Sequence, residues 1–233
     1  MHTNTSSAIT RINLVVANVY IVRGEKTILV DTGAESSAGW ILRALKQHNI
    51  SPEELSMIVL THAHVDHAGS ARRLREQLRV PVAVHEADAQ MLKRGDNGTL
   101  QTLGAEAVIV KFVMDHPFPS LDADILLDSS TDLRRWGVDA RLLHTPGHTS
   151  GSISLLFTNG DAIVGDVLRG GIMGGTFLAS RPNYPYFLPH QNDKRTLLHS
   201  VQKLLDAGVE RFFVGHGGPL SRVDVQRWLS LQK

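Results

Sequence analysis

A chain of 233 residues with 42% hydrophobic and 20% charged side chains has the composition for a full hydrophobic core, which excludes a disordered tail protein and predicts one domain over residues 1–233. Lys and Arg number 24 against 23 Asp and Glu; the formal charge of +1 offers no basic surplus to neutralise phosphates, so nucleic acid is not an expected partner. The absence of cysteine excludes disulfides, thiolate metal sites and thiol nucleophiles, and any metal site must be built from His, Asp and Glu.

Met1 to Ser7 is polar, with no charged segment followed by an apolar one, and the apolar stretch Ile12 to Val22 is interrupted by Asn13 and Asn18. No export signal, membrane span or membrane partner is read, and a cytoplasmic location is expected. Ile9 to Val16, Tyr20 to Arg23 and Thr27 to Val30 are rich in β-branched residues and predict a meander, with Arg23-Gly24-Glu25-Lys26 as a tight turn. Ser36 or Ser37 caps a helix to about Gln47, in which Trp40, Ile41, Ala44 and Leu45 recur at helical spacing. Ser51-Pro52-Glu53-Glu54 has the form of a helix start, and Met57 to Leu60 that of a short buried strand. A helix over Ala68 to Leu78, a strand over Val80 to Val84 and a helix over Glu86 to Arg94 follow.

In the second half, strands are predicted over Ile125 to Leu127, Ala140 to His144, Ile153 to Thr158 and Ala162 to Val164. A helix over Asn192 to Ala207, closed by Gly208, precedes strand Arg211 to Val214 and a final helix from about Arg222. No fixed-period repeat or Pro/Gly/Ser-rich linker divides the chain, so two similar halves sharing one core are expected, as a sandwich with helices outside.

Thr61-His62-Ala63-His64-Val65-Asp66-His67 places four metal-binding side chains in six residues at the exit of a strand, where alternation turns His62 and His64 to one side. They suit one cation or two neighbouring ones. Taken singly, Asp66 is also a helix cap and the histidines ordinary loop residues. His148 follows strand Ala140 to His144, Asp166 follows Ala162 to Val164, and His216 follows Arg211 to Val214, each beside a glycine that permits close backbone approach. The run from Gly170 to Gly175 lacks the Lys-Ser/Thr ending of a phosphate loop and reads as a flexible connection.

Leu29-Val30-Asp31-Thr32-Gly33, Thr61-His62-Ala63-His64-Val65-Asp66-His67-Ala68-Gly69, Thr145-Pro146-Gly147-His148-Thr149, Gly165-Asp166 and Gly215-His216-Gly217 stand in an order that resembles the metallo-β-lactamase superfamily, in particular its glyoxalase II-like branch. The resemblance spans nearly the whole chain. It implies an α/β fold, an αββα sandwich of two mixed sheets with helices on the outer faces and metals at one edge. It further implies that His62, His64 and His148 hold a first divalent metal ion, that Asp66, His67 and His216 hold a second, and that Asp166 bridges them. Donors of this kind suit Zn²⁺ and also accept Fe²⁺ or Mn²⁺. A hydroxide shared by the two ions would be the nucleophile, with Asp66 as a catalytic proton carrier besides being a ligand. Asp31 is either a partner supporting a ligand histidine from behind or part of an ordinary Asp-Thr-Gly turn. His85, His116, His144, His190 and His199 match no ligand position of the family.

The implied activity is that of a hydrolase acting on a thioester, lactone or related ester, with a small molecule as its partner. Glyoxalase II-like enzymes carry a C-terminal helical extension that helps bind glutathione; 17 residues follow His216 here, which leaves glutathione open as part of the substrate. An iron-dependent persulfide dioxygenase and a phosphodiesterase are the alternatives, and a non-catalytic metal-binding module is the bland one. The segment Arg169 to His190 either covers the cleft or packs on the core; in the first case Arg169 or Arg181 meets a substrate anion, and Tyr184 and Tyr186 line the binding space.

Overall fold

Alternation along the strands builds the layers. In a computed structural model that describes residues 8–171, 180–190 and 192–232, β1 (Ala8–Asn13), β2 (Asn18–Arg23) and β3 (Thr27–Val30) form the expected antiparallel meander. β4 (Leu55–Val59), β5 (Val82–His85) and β7 (Ile125–Leu127) extend it by parallel pairing into a sheet of order β1-β2-β3-β4-β5-β7; β6 (Gln101–Thr102) lies outside it. A second mixed sheet has the order β13-β12-β10-β9-β8, from β8 (Ala140–His144), β9 (Ile153–Phe157), β10 (Asp161–Gly165), β12 (Arg211–Val214) and β13 (Leu220–Ser221). β11 (Phe187–Leu188) pairs with β6.

Period-two geometry sends successive side chains of these strands to opposite faces. Tyr20, Val22, Ile28, Val30, Met57 and Val59 of the first sheet meet Leu142, Ile153, Leu155 and Ile163 of the second, and this is the core between the sheets. Their neighbours Val19, Ile21, Leu29 and Ile58 point the other way, onto Ile41 and Leu45 of α1 (Ala38–Gln47) and onto Leu74 of α3 (Ala71–Leu78). Leu156, Ala162, Val164 and Phe212 pack outward on α6 (Asp193–Asp206) and α7 (Arg222–Ser230). The expected αββα order of layers results. No helix among the described residues is long and apolar enough to cross a membrane.

Three local departures from the sequence reading have physical causes. The first strand stops at Asn13 rather than Val16, because the chain turns at Leu14, whose N–H donates to the Ala17 carbonyl at 3.2 Å. The helix expected over Ala68 to Leu78 is two, α2 (Val65–Ala68) and α3, broken where Gly69 presses on the backbone of Ala34 and Glu35 and the Ser70 hydroxyl donates to the Ala34 carbonyl at 2.6 Å. Ser51 to Glu54 forms only one tight turn into β4, closed by the Glu54 carboxylate accepting from the Ser51 N–H at 2.7 Å. α4 (Ala89–Arg94) agrees with expectation, whereas α5 (Ala105–Met114) was not anticipated.

Candidate metal centre

Strand ends build the site. β3 and β4 run parallel in one sheet and β10 and β12 in the other, so Asp31, His62, Asp166 and His216 leave neighbouring strands at one edge of the sandwich. There the Ile153 N–H donates to the Thr61 carbonyl at 2.9 Å and joins the two sheets. His64 precedes the single turn of α2, which carries Asp66 and His67 in its buried interior. His148 sits in the loop between β8 and β9.

All seven side chains named from the sequence come together. Donor atoms of His62, His64 and His148 lie within 4.8 Å of one another, and so do those of Asp66, His67 and His216. Asp166 stands between the two groups: its Oδ2 is 3.0 Å from His216 Nε2 and 3.8 Å from His148 Nε2, and its Oδ1 is 3.4 Å from His67 Nε2. The close fit leaves no room for a side chain at Gly215, where an added methyl would overlap Asp166 Oδ1 and the His67 ring.

Four of the five imidazoles are fixed from behind by the other nitrogen, which determines the atom each presents to the centre. His67 Nδ1 donates to Asp31 Oδ2 at 2.8 Å, His148 Nδ1 to the Phe187 carbonyl at 2.9 Å, and His216 Nδ1 to the Val16 carbonyl at 2.9 Å. His62 Nδ1 is 3.1 Å from the Thr61 hydroxyl, which itself donates to Asp31 Oδ2 at 2.9 Å. His64 Nδ1 lies 2.9 Å from His148 Nε2, inside the same donor group. Asp31 adopts a left-handed φ of 65°, and its carboxylate also accepts the Thr61 N–H at 2.7 Å; the residue therefore serves as the support behind His67 rather than as a simple turn. With these bonds made, His62 Nε2, His67 Nε2 and Asp166 Oδ1 remain buried with no hydrogen-bond partner. Buried polar atoms without partners are costly, and cations held at the centre would satisfy all three once His67 gives up its proton, so the residues fit a metal.

The two groups differ in charge. Burial lowers the pKa of His64 and His148 to about 4 and that of His62 well below the usual imidazole range, so this group is neutral at pH 7. Burial also opposes charge on His67 and His216. At His67 the carboxylates of Asp31, Asp66 and Asp166 outweigh it and push the pKa well up; at His216 Asp166 and Asp66 raise it to about 10. In metal-free protein both are therefore protonated at pH 7, whereas a ligand imidazole must be neutral. Filling the Asp66, His67 and His216 group should thus release about two protons, and filling the other group essentially none. Calorimetry in two buffers of different ionisation enthalpy is expected to show this, with the second affinity rising as pH increases from 6 to 8. Equal proton release on both steps would contradict the charge separation.

Asp88 escaped the sequence reading. In the turn between β5 and α4 its buried carboxylate accepts from the Gly151 N–H and the Thr149 hydroxyl, each at 2.7 Å, and from the Ala63 N–H at 3.1 Å. It thereby ties the His62-Ala63-His64 turn to the loop that carries His148. Asp88→Ala leaves those donors unpaired and is expected to cost about 3 kcal/mol in urea unfolding. A loss below about 0.5 kcal/mol would show that the two loops hold themselves.

A cavity of about 340 Å³ opens on the centre, and α5 supplies part of its wall. Of the four side chains expected near substrate, Tyr186 lines it. Arg169 stands behind Tyr186, with its guanidinium 4.2 Å from the ring centre and paired with Glu106. Tyr184 turns away onto Trp228, at 5.0 Å between ring centres, and Arg181 is exposed beside Gly170. Neither Tyr184 nor Arg181 reaches the cavity. The connection expected from Gly170 to Gly175 falls largely within residues 172–179, outside the described residues. His85 and His144 stack on each other at 4.3 Å, apart from the centre.

Similarity to known proteins agrees with this geometry. The chain is similar to the probable metallo-hydrolase YqgX of Bacillus subtilis, at 29% identity over 86% of this chain and 85% of that protein. Among solved structures it resembles the BLEG-1 B3 metallo-beta-lactamase, with a TM-score of 0.66, 21% identity and coverage of 96% and 97%. It also resembles TTHA1623 in a di-iron-bound form, with a TM-score of 0.63, 24% identity and coverage of 97% and 96%. Residues 12–216 match the family described as the metallo-beta-lactamase superfamily, to which this chain therefore belongs.

Proposed function

We propose that the protein is a dinuclear metallohydrolase, glyoxalase II-like in its chemistry, that opens a thioester, lactone or related ester. The observation that carries this reading is Asp166 facing two complete three-residue donor groups, with its own Oδ1 and two imidazole nitrogens still unpaired. His62, His64 and His148 would hold one ion, Asp66, His67 and His216 the other, and Asp166 would contact both. Two divalent ions bound there would supply a hydroxide nucleophile at neutral pH and polarise the scissile carbonyl. Imidazole and carboxylate donors without thiolate suit zinc first and also accept iron or manganese.

The remaining work falls to the chain. The outer hydrogen bonds hold the donors rigid, so little reorganisation is needed when charge develops. Asp66 lines the cavity 3.2 Å from His216 Nε2. In the metal-free protein burial favours its neutral form, but His67 and His216 outweigh that and lower its pKa to about 2, so it is a carboxylate; from the cavity wall it would take up a proton from the nucleophile and pass it to the departing thiol or alcohol. A single-iron oxidoreductase would leave Asp66, His67 and His216 without a task as a donor set.

Metal-loaded protein assayed against acyl thioesters, lactones, phosphodiesters and β-lactams is expected to open thioesters or lactones, to lose activity to a chelator and to regain it with zinc, iron or manganese. Turnover confined to phosphodiesters or β-lactams would overturn the reading. So would oxygen consumption with a persulfide by iron-loaded protein.

A further inference from the structure

The geometry points to a substrate that carries an uncharged hydrocarbon chain beside its scissile carbonyl, received by α5; this rests on the hydrolytic reading above. The cavity presents His64, Asp66, His148, Asp166 and His216 on one side. Much of the rest of its lining is apolar: Leu100, Ile109, Val110, Val113, Met114 and Phe187. A bond held at the donors therefore leaves one half of the substrate against hydrocarbon.

The wall continues outward. Ile109 and Val113 line the cavity yet are 73% and 62% exposed, so the entrance has an apolar rim where a solvated helix normally carries polar residues. Asn97 fixes that wall to the centre: its side-chain oxygen accepts the Val65 N–H at 2.8 Å, and its amide donates to the Met114 carbonyl at 2.8 Å. One side chain thus links the turn that carries Asp66 to the end of α5.

Charge selects against anionic substrates. No Lys or Arg among the described residues lines the cavity, and residues 172–179 contain neither type. Arg169, the nearby cation, is engaged by Glu106 and by the Tyr184 carbonyl at 2.8 Å. Glu106 itself lines the cavity, and with its carboxylate paired to Arg169 it adds no net positive charge there. A substrate carboxylate or phosphate would find no counter-charge beyond the metal-binding cluster, whereas an alkyl chain gains from each methylene removed from water.

The test uses metal-loaded protein and thioesters of N-acetylcysteamine, a neutral thiol, with acyl chains from acetyl to decanoyl, beside the same acyl groups on glutathione. A second series lengthens the thiol half with the acyl half fixed at acetyl. Along one of the two series kcat/KM is expected to rise about threefold to fourfold per methylene until the cavity is filled. The anionic glutathione thioesters should be no better than the neutral ones. Ile109→Asp should flatten the dependence while metal content stays unchanged.

Binding of hexanamide, octanamide and decanamide, measured by calorimetry on metal-free and loaded protein, is independent of turnover and should tighten along the same progression. No dependence on length in either half of the thioester, together with equal affinity for the three amides, would overturn the inference and leave the hydrolytic reading standing. Length-dependent amide binding without hydrolysis of any ester or thioester would do the reverse.

Discussion

Asp166→Ala is expected to lower kcat by roughly three orders of magnitude or more while the protein remains folded. The side chain touches members of both donor groups, so its loss disturbs both positions at once, whereas a residue confined to one group would disturb only one. Burial penalises its charge, but His216 and His67 overcome that and hold the carboxyl well below the usual carboxylate range, so it is an anion wherever the protein is folded near neutrality. The apolar clusters that hold the four layers together do not include it, and its removal leaves the strands on either side packed as before. Circular dichroism should therefore show the fold retained as turnover collapses, while urea unfolding shifts to lower concentration because His67 and His216 lose a buried counter-charge. Retention of more than a tenth of wild-type kcat would remove Asp166 from the centre of the account. His199, on the surface of α6, provides the contrast: His199→Ala should leave turnover within about twofold.

Asp31→Ala should act through a different quantity. Its carboxylate fixes His67, the Thr61 N–H and, through the Thr61 hydroxyl, His62, yet Asp31 belongs to neither donor group. Supports of this kind typically contribute 10–100-fold in metal affinity, and removing one partner of a buried charged pair costs about 3–5 kcal/mol. The variant is expected to lose metal to a chelator at concentrations that spare the wild type and to unfold at markedly lower urea. Asp31→Asn keeps an acceptor for the Thr61 N–H and should recover part of the stability but less of the metal affinity, because a neutral amide holds the His67 N–H less strongly. Wild-type metal retention in both variants would reduce Asp31 to a turn residue after all.

What could be read from the sequence was whatever is local or periodic. The meander, the buried strands and the outer helices follow from alternation and spacing, and the His-x-His-x-Asp-His run announces itself because its members share one turn. His148, Asp166 and His216 were found because each directly follows a strand. α5 was missed for a physical reason: Val108, Ile109, Val110, Phe112 and Val113 are apolar around most of its circumference, so no helical stripe appears, and that same property makes it part of the wall of the cavity. Asp88 was invisible because its partners are 25 and 61–63 residues away, and in the sequence it is only an acid at a helix start. The carbonyls of Val16 and Phe187, which orient His216 and His148, carry no signature in any side chain. Arg169 drew attention as a cation next to Asp166, but its charge is committed to Glu106, a pairing that spans 63 residues.

The central claim, two cation positions sharing Asp166, is tested most directly by metal stoichiometry. Protein stripped with a chelator, reloaded with excess zinc, iron or manganese and freed of unbound ion should carry two ions per chain by elemental analysis. Asp66→Ala, treated in the same way, should carry about one, because only the Asp66, His67 and His216 group loses a donor. One ion or none in the wild type, or two in Asp66→Ala with unchanged affinity, would contradict the account.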